Sequence, residues 1–213
     1  MIEPQEPPSI SLAAVQRALS ESRFEAYRTH SDESLEAVLG RYRWNLALCM
    51  ALYPALGLLE VSLRNNLHGA LARYYETDAW YDLTPEKLAP REQDSIKQAK
   101  NELRKQGKRE EPDRLVAELN LGFWTSLLSK EYEQQLWPRL LIPAFPQMPR
   151  RERTRARVAA RLHEIRRLRN RVSHHEPIYK LGNLMQRYDH IQEAITWLAP
   201  ALAAAASGRG GLP

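Results

Sequence analysis

A chain of 213 residues, 43% hydrophobic and 27% charged, has the balance of a folded globular protein and is long enough for one domain with a proper core. Its 31 basic residues outnumber its 26 acidic ones, and the lone cysteine, Cys49, excludes an intrachain disulfide framework. There is no Gly-x-x-x-x-Gly-Lys loop, no Gly-x-Gly-x-x-Gly and no cysteine–histidine metal spacing, so P-loop, dinucleotide-binding and zinc-finger chemistry are not written in the chain.

Residues 1–10, rich in proline, are expected to be a disordered tail without the basic start and apolar run of a secretory signal. Ser11 is placed to cap a short amphipathic segment through Leu19, and a second short helix is expected over Ser22–Thr29. Ser31-Asp32-Glu33-Ser34 is a helix start, followed by one face of Leu35, Val38, Leu39, Tyr42, Leu46, Met50 and Tyr53. Pro54 is expected to kink that helix or begin a new one. The next helix, to Tyr75, sets Leu56, Leu59, Leu63, Leu67, Leu71 and Tyr74 on its apolar face, beside a polar line of Glu60, Arg64 and His68. Glu60 and Arg64 have the favourable order and spacing for an ion pair.

Residues 77–85 are expected to be a loop pinned by Trp80 and Tyr81, with Thr84 capping a polar helix from Pro85 that is interrupted near Pro90 and ended by Gly107. A helix over 111–119, a compact Gly122-Phe123-Trp124 element and an irregular apolar stretch broken by Pro138, Pro143, Pro146 and Pro149 follow. From Pro149 a long helix is expected to reach His175, with Val158, Leu162, Ile165, Leu168 and Val172 inward and ten arginines against two acids between Arg150 and Arg171. Such a field attracts polyanions, or is simply a solvated face. His163 is expected at the surface. A last helix covers 182–199, and 201–213 is expected to be a disordered tail. No alternating strand pattern occurs, so the fold class is all-α, a single helical domain over 11–200. No uninterrupted apolar run approaches about 18 residues, so no membrane span is expected and the protein is expected in the cytoplasm.

The chemistry gathers between Arg166 and Pro177, where Arg169, Asn170, His174, His175 and Glu176 fall within eight residues. On a helix, Asn170 and His174 share a face, with Arg166 on it too and Arg169 one position round. Cleaving RNA requires a proton taken from the 2′-hydroxyl, one given to the leaving 5′-oxygen, and a stabilised phosphate. Histidine can perform either transfer and arginine can stabilise the charge. The 2′-hydroxyl is a built-in nucleophile, so neither a metal nor another cofactor is required. His174 and His175 point about 100° apart on a helix, which is poor geometry for chelating one ion. A purely structural alternative has Arg169 paired with Glu164 or Glu176 and His174 capping carbonyls.

Arg169-Asn170-Arg171-Val172-Ser173-His174 resembles the Arg-x4-6-His signature of HEPN domains. The longer string Leu168–Ile178, the segment Leu59–Asn65 and the Gly122-Phe123-Trp124 element resemble the Abi-like, abortive-infection branch, over roughly residues 35–198. The resemblance implies a HEPN-like helical bundle that dimerises, with two motifs meeting at the two-fold as a composite cleft. It implies a metal-independent endoribonuclease in a toxin–antitoxin or phage-defence setting, with an antitoxin protein as a possible partner. It assigns Arg169, Asn170 and His174 as catalytic, and gives His175, Glu60, Arg64, Arg166 and Arg171 supporting or RNA-contacting places. A non-catalytic RNA-binding or protein-interaction module is the alternative within the same family.

Overall fold

The computed structural model describes residues 11–83, 87–138 and 142–206. Among these there is no strand; the protein is all-α. The expected tail at 1–10, the cap at Thr84 with the helix start at Pro85, and residues 207–213 lie outside the described residues.

The chain builds α1 (Leu12–Leu19), α2 (Glu21–Glu25), α3 (Leu35–Tyr75), α4 (Trp80–Leu83), α5 (Pro90–Lys105), α6 (Pro112–Glu118) and α7 (Leu121–Ser126). After an irregular stretch come α8 (Arg155–Ser173), α9 (Leu184–Leu198) and α10 (Pro200–Ala206). α3 is the axis: 41 residues, about 60 Å at 1.5 Å per residue, with α7, α8, α9 and α10 packed along it. The main core joins Leu56, Leu59, Leu63 and Leu67 of α3 to Leu162, Ile165 and Leu168 of α8 and Ile191 and Ile195 of α9. A smaller cluster of Phe24, Tyr27, Val38 and Leu39 lies under α1 and α2.

Several boundaries differ from expectation. α3 runs unbroken through Pro54, whose ring sits on an exposed face where the lost hydrogen bond costs least. Its N-cap is Ser34, accepting from Ala37 N at 3.2 Å, while Glu33 just before it is bonded to Thr29 and paired with Arg41. The face assigned to its first half is half right. Val38 and Leu39 are buried, but Met50 is 70% and Tyr53 45% exposed, while Cys49 and Leu52 point inward. Tyr74, also expected inside, is half-exposed.

α2 spans Glu21–Glu25, and Ser11 provides no side-chain cap for α1. Residues 80–83 form a helical turn, with Trp80 and Tyr81 buried as anchors. Pro90 opens α5 at its first turn, where no N–H is needed, and does not interrupt it. α8 begins at Arg155, not Pro149. Thr154 caps it, accepting from Arg157 N at 3.3 Å, and Arg153 turns back onto the carbonyls of Pro146 and Met148. Pro200–Ala206 is helical where a tail was expected.

By length and composition α3 could also cross a membrane, because residues 44–59 carry no charge. The expectation of no span counted only uninterrupted apolar runs. Here the inner face of the helix is part of the core of the domain, while Trp44, Met50, Tyr53 and Val61 are exposed.

His68 of α3, expected on a polar line, is mostly buried and accepts a hydrogen bond at its Nδ1 from Trp80 Nε1 at 3.0 Å. Burial lowers its pKa from 6.5, against the opposing charges of Asp78 and Asp113. The folded state therefore favours the neutral ring. The stability this contributes is present above the unfolded-state value and lost as pH falls below it. His68→Gln keeps an acceptor for Trp80 without a titrating group, so its unfolding free energy, followed by urea denaturation, should fall less than that of the parent chain between about pH 7 and pH 5.

Candidate functional site

The inward stripe Val158, Leu162, Ile165, Leu168 and Val172 is buried throughout, so α8 lies against the core with its other sides outward. Its end is set by backbone chemistry. His175 N bonds Val172 O at 3.1 Å and Glu176 N bonds Arg171 O at 2.9 Å, the paired bonds of a Schellman cap. That cap needs a left-handed residue, and His175 supplies it at φ 51°. α5 ends in the same way, with Lys108 N on Leu103 O and Gly107 N on Arg104 O, but there glycine holds the left-handed position at φ 65°. At α8 a histidine bears the strain that glycine avoids.

The turn is held from outside by fully buried Asn45 of α3. Its Oδ1 accepts from Ile178 N at 2.7 Å and Tyr179 N at 3.3 Å. Its Nδ2 donates to Glu176 O at 3.0 Å and Tyr27 Oη at 2.9 Å. The Tyr27 hydroxyl in turn donates to His175 O at 2.7 Å. Burial pushes the Tyr27 phenol up to about 12, with Cys49 and Tyr42 adding to the effect, so it stays a donor throughout the neutral range. The remaining anchor is Arg23 of α2, whose Nη1 donates to His174 O at 3.0 Å.

On this frame Asn170 and His174 stand exposed, one turn apart. His174 is the C-cap, its N–H bonded to Asn170 O at 3.0 Å. Arg169, about one-third exposed, lies 3.4 Å from Glu60 Oε2. Among the described residues no hydrogen bond or ion pair joins the side chains of Arg169, Asn170 and His174 to one another.

The expected pair of Glu60 with Arg64 does not form: Arg64 contacts Asn65 at 3.4 Å and Glu60 holds Arg169. The pairings of the purely structural alternative are absent too. Glu164 takes Arg187 and His190, and Glu176 takes Arg171. Arg166 reaches Thr125 of α7 at 3.2 Å and lies 3.5 Å from the exposed His163. The glycine of the Gly-Phe-Trp element is explained by the cap of α7. Asn120 caps Phe123 N at 3.0 Å, and a Cβ on Gly122 would meet Asn120 Oδ1 at 2.8 Å.

The arginine density of α8 is largely consumed within the fold. Arg155 pairs with Glu133, Arg157 with Glu152 and Glu193, Arg161 with Glu193, Arg169 with Glu60 and Arg171 with Glu176. Among the described residues Arg166 and the exposed Arg167 have no carboxylate partner, so the helix offers less free positive charge than its sequence suggests without losing all of it. Arg23 has no carboxylate partner. It was invisible in the sequence, since nothing marks residue 23 as a neighbour of residue 174. With Ser20, Ser22, Tyr27, His174, His175 and Glu176, whose carboxylate is paired with Arg171, it lines a depression of about 250 Å³. A larger cavity of about 560 Å³, between Tyr74, Tyr75, Lys87 and Tyr132, includes none of these residues. No cluster of three or more His, Cys, Asp or Glu suited to a metal ion occurs among the described residues.

Compared with protein-family models, curated proteins and solved structures, the chain matches none.

Asn45→Ala removes the acceptor for two buried amides and a donor to Glu176 O together. It should lower the unfolding free energy by about 2–3 kcal/mol, measured by urea denaturation. A loss below about 0.5 kcal/mol would mean that the turn after α8 holds without this amide.

Proposed function

We propose that the protein is a metal-independent endoribonuclease of the HEPN type, acting in the cytoplasm as a toxin or phage-defence effector. The observation that carries this reading is the end of α8, where Asn170 and His174 are exposed one turn apart on a strained, tightly anchored cap. Arg169 stands on the flank, aligned by Glu60. A rigid support beneath reactive side chains is what catalysis by positioning requires.

In the reaction, a base takes the proton of the 2′-hydroxyl and its oxygen attacks phosphorus. The bond from phosphorus to the 5′-oxygen breaks, and an acid returns a proton to that oxygen. The products are a 2′,3′-cyclic phosphate and a 5′-hydroxyl. His174 performs one transfer, Asn170 orients the phosphate and Arg169 stabilises its developing charge.

One chain supplies one such histidine, so the site is completed by a second copy across a two-fold. Trp44, Met50, Tyr53 and Val61 leave an apolar outer face on α3, and that face borders Glu60, which holds Arg169. A second copy seated there covers the face and brings two α8 ends together. The case for a purely electrostatic RNA-binding module is weaker, because it rests on the arginine field that the ion pairs of α8 absorb.

His174→Ala should reduce RNA cleavage by at least about 100-fold with an unchanged melting curve. EDTA should leave the parent enzyme unaffected, and its products should carry 2′,3′-cyclic ends. Equal cleavage by the variant would sink the assignment. Val61→Glu should shift the protein from dimer to monomer in sedimentation and reduce cleavage with it. A parent chain that sediments as a monomer and still cuts RNA would remove the second copy from the mechanism.

A further inference from the structure

The depression between α2 and the end of α8 shares the strained cap at His175 with the reading above and adds Ser20, Ser22 and Arg23, which that reading does not use. Among the described residues three non-glycines have positive φ, and two of them, Ser20 at 70° and His175 at 51°, line this one depression. Left-handed non-glycine residues cost stability and gather where a geometry is needed for something other than folding. His175 also keeps its Nδ1 buried without a hydrogen-bond partner, in a part of the fold where Asn45 satisfies every polar group it reaches.

Arg23 adds the charge. A guanidinium has five N–H donors, and the structure commits one nitrogen, Nη1, to the carbonyl of His174. No carboxylate neutralises it, in contrast to Arg155, Arg157, Arg161, Arg169 and Arg171. Through that bond Arg23 is fixed against the backbone of the proposed catalytic histidine. The hydroxyls of Ser20 and Ser22, 3.4 Å apart, lie on the same wall. A volume of about 250 Å³ accommodates a phosphate with its sugar.

We propose that this depression is a subsite for the RNA phosphate next to the one being cleaved, with the Arg23 guanidinium as its anchor and the Ser20 and Ser22 hydroxyls as further donors. The proposal rests on the ribonuclease reading and extends it. Arg23 holds the strand so that the neighbouring phosphate meets His174. The strained turn at His175 and the positive-φ residue Ser20 at the start of α2 give the depression its walls. Tyr27, bonded to both Asn45 and His175 O, is its floor and is structural.

The test is binding of an RNA oligonucleotide made uncleavable by a single 2′-deoxy substitution, measured across a range of salt. Arg23→Gln keeps an N–H donor for the carbonyl of His174 and removes the charge. It should weaken binding about tenfold and lower the dependence of log Kd on log salt by about one unit. Arg23→Lys should retain that salt dependence, because it retains the charge. If Arg23→Gln, folded as judged by its melting curve, binds with the affinity and salt dependence of the parent while the parent cuts RNA, the subsite is wrong and the ribonuclease reading stands. If the parent neither binds nor cuts RNA, both fall.

Discussion

The amide of Asn45 is the interaction on which the candidate site depends. It is buried in the first half of α3 and satisfies groups from residues 176 to 179 and from Tyr27. An amide suits the task because it offers two donors and an acceptor with two lone pairs on one short, stiff side chain. Aspartate would repel the Glu176 carbonyl, and an apolar residue would leave the amides of Ile178 and Tyr179 without an acceptor. Through this one side chain α2, α3 and the turn after α8 are assembled as a unit. The left-handed His175 persists because its neighbours on both sides are held.

The second determinant is the allocation of charge. Glu60, Glu133, Glu152, Glu176 and Glu193 each take an arginine of α8. Most of these pairs are part-exposed and individually worth little stability. Their larger effect is on the field, which they reduce along the helix, while Arg166 and Arg167 keep no carboxylate partner among the described residues. Charge that remains free is therefore informative about where a polyanion can be gripped. Arg23 carries such charge; its short helix was expected, but nothing in the sequence placed it beside His174.

The sequence made the helical class plain, because apolar residues recur at three and four along α8 and along the second half of α3. The α8 stripe is buried at every position expected. The first half of α3 was harder to orient. Leu46, Leu48, Cys49, Met50, Leu52 and Tyr53 surround the helix, so periodicity alone cannot say which side faces in. Pro54 is expected from sequence to kink the helix or begin a new one, because the rule for proline concerns interior positions, whereas its exposure is set by tertiary packing. In the site, the local grouping of Arg169, Asn170 and His174 was legible. The partners were not: Glu60 lies 109 positions from Arg169, and Arg23 lies 151 from His174. Nearest-neighbour spacing pointed Glu60 to Arg64, and a contact between helices took it instead.

Pro54 has one more effect, on the outer side of α3. Having no N–H, it cannot bond the carbonyl of Met50, which is thereby left with an unused acceptor on an otherwise apolar surface. Exposed, that oxygen is hydrated at no cost. Covered, it must be met by a hydroxyl or N–H, or it keeps a trapped water. Any surface covering this face would therefore have to supply a donor there or leave room for that water. A partner that covered this face would be favoured at alignments that place a donor or a water at Met50 O.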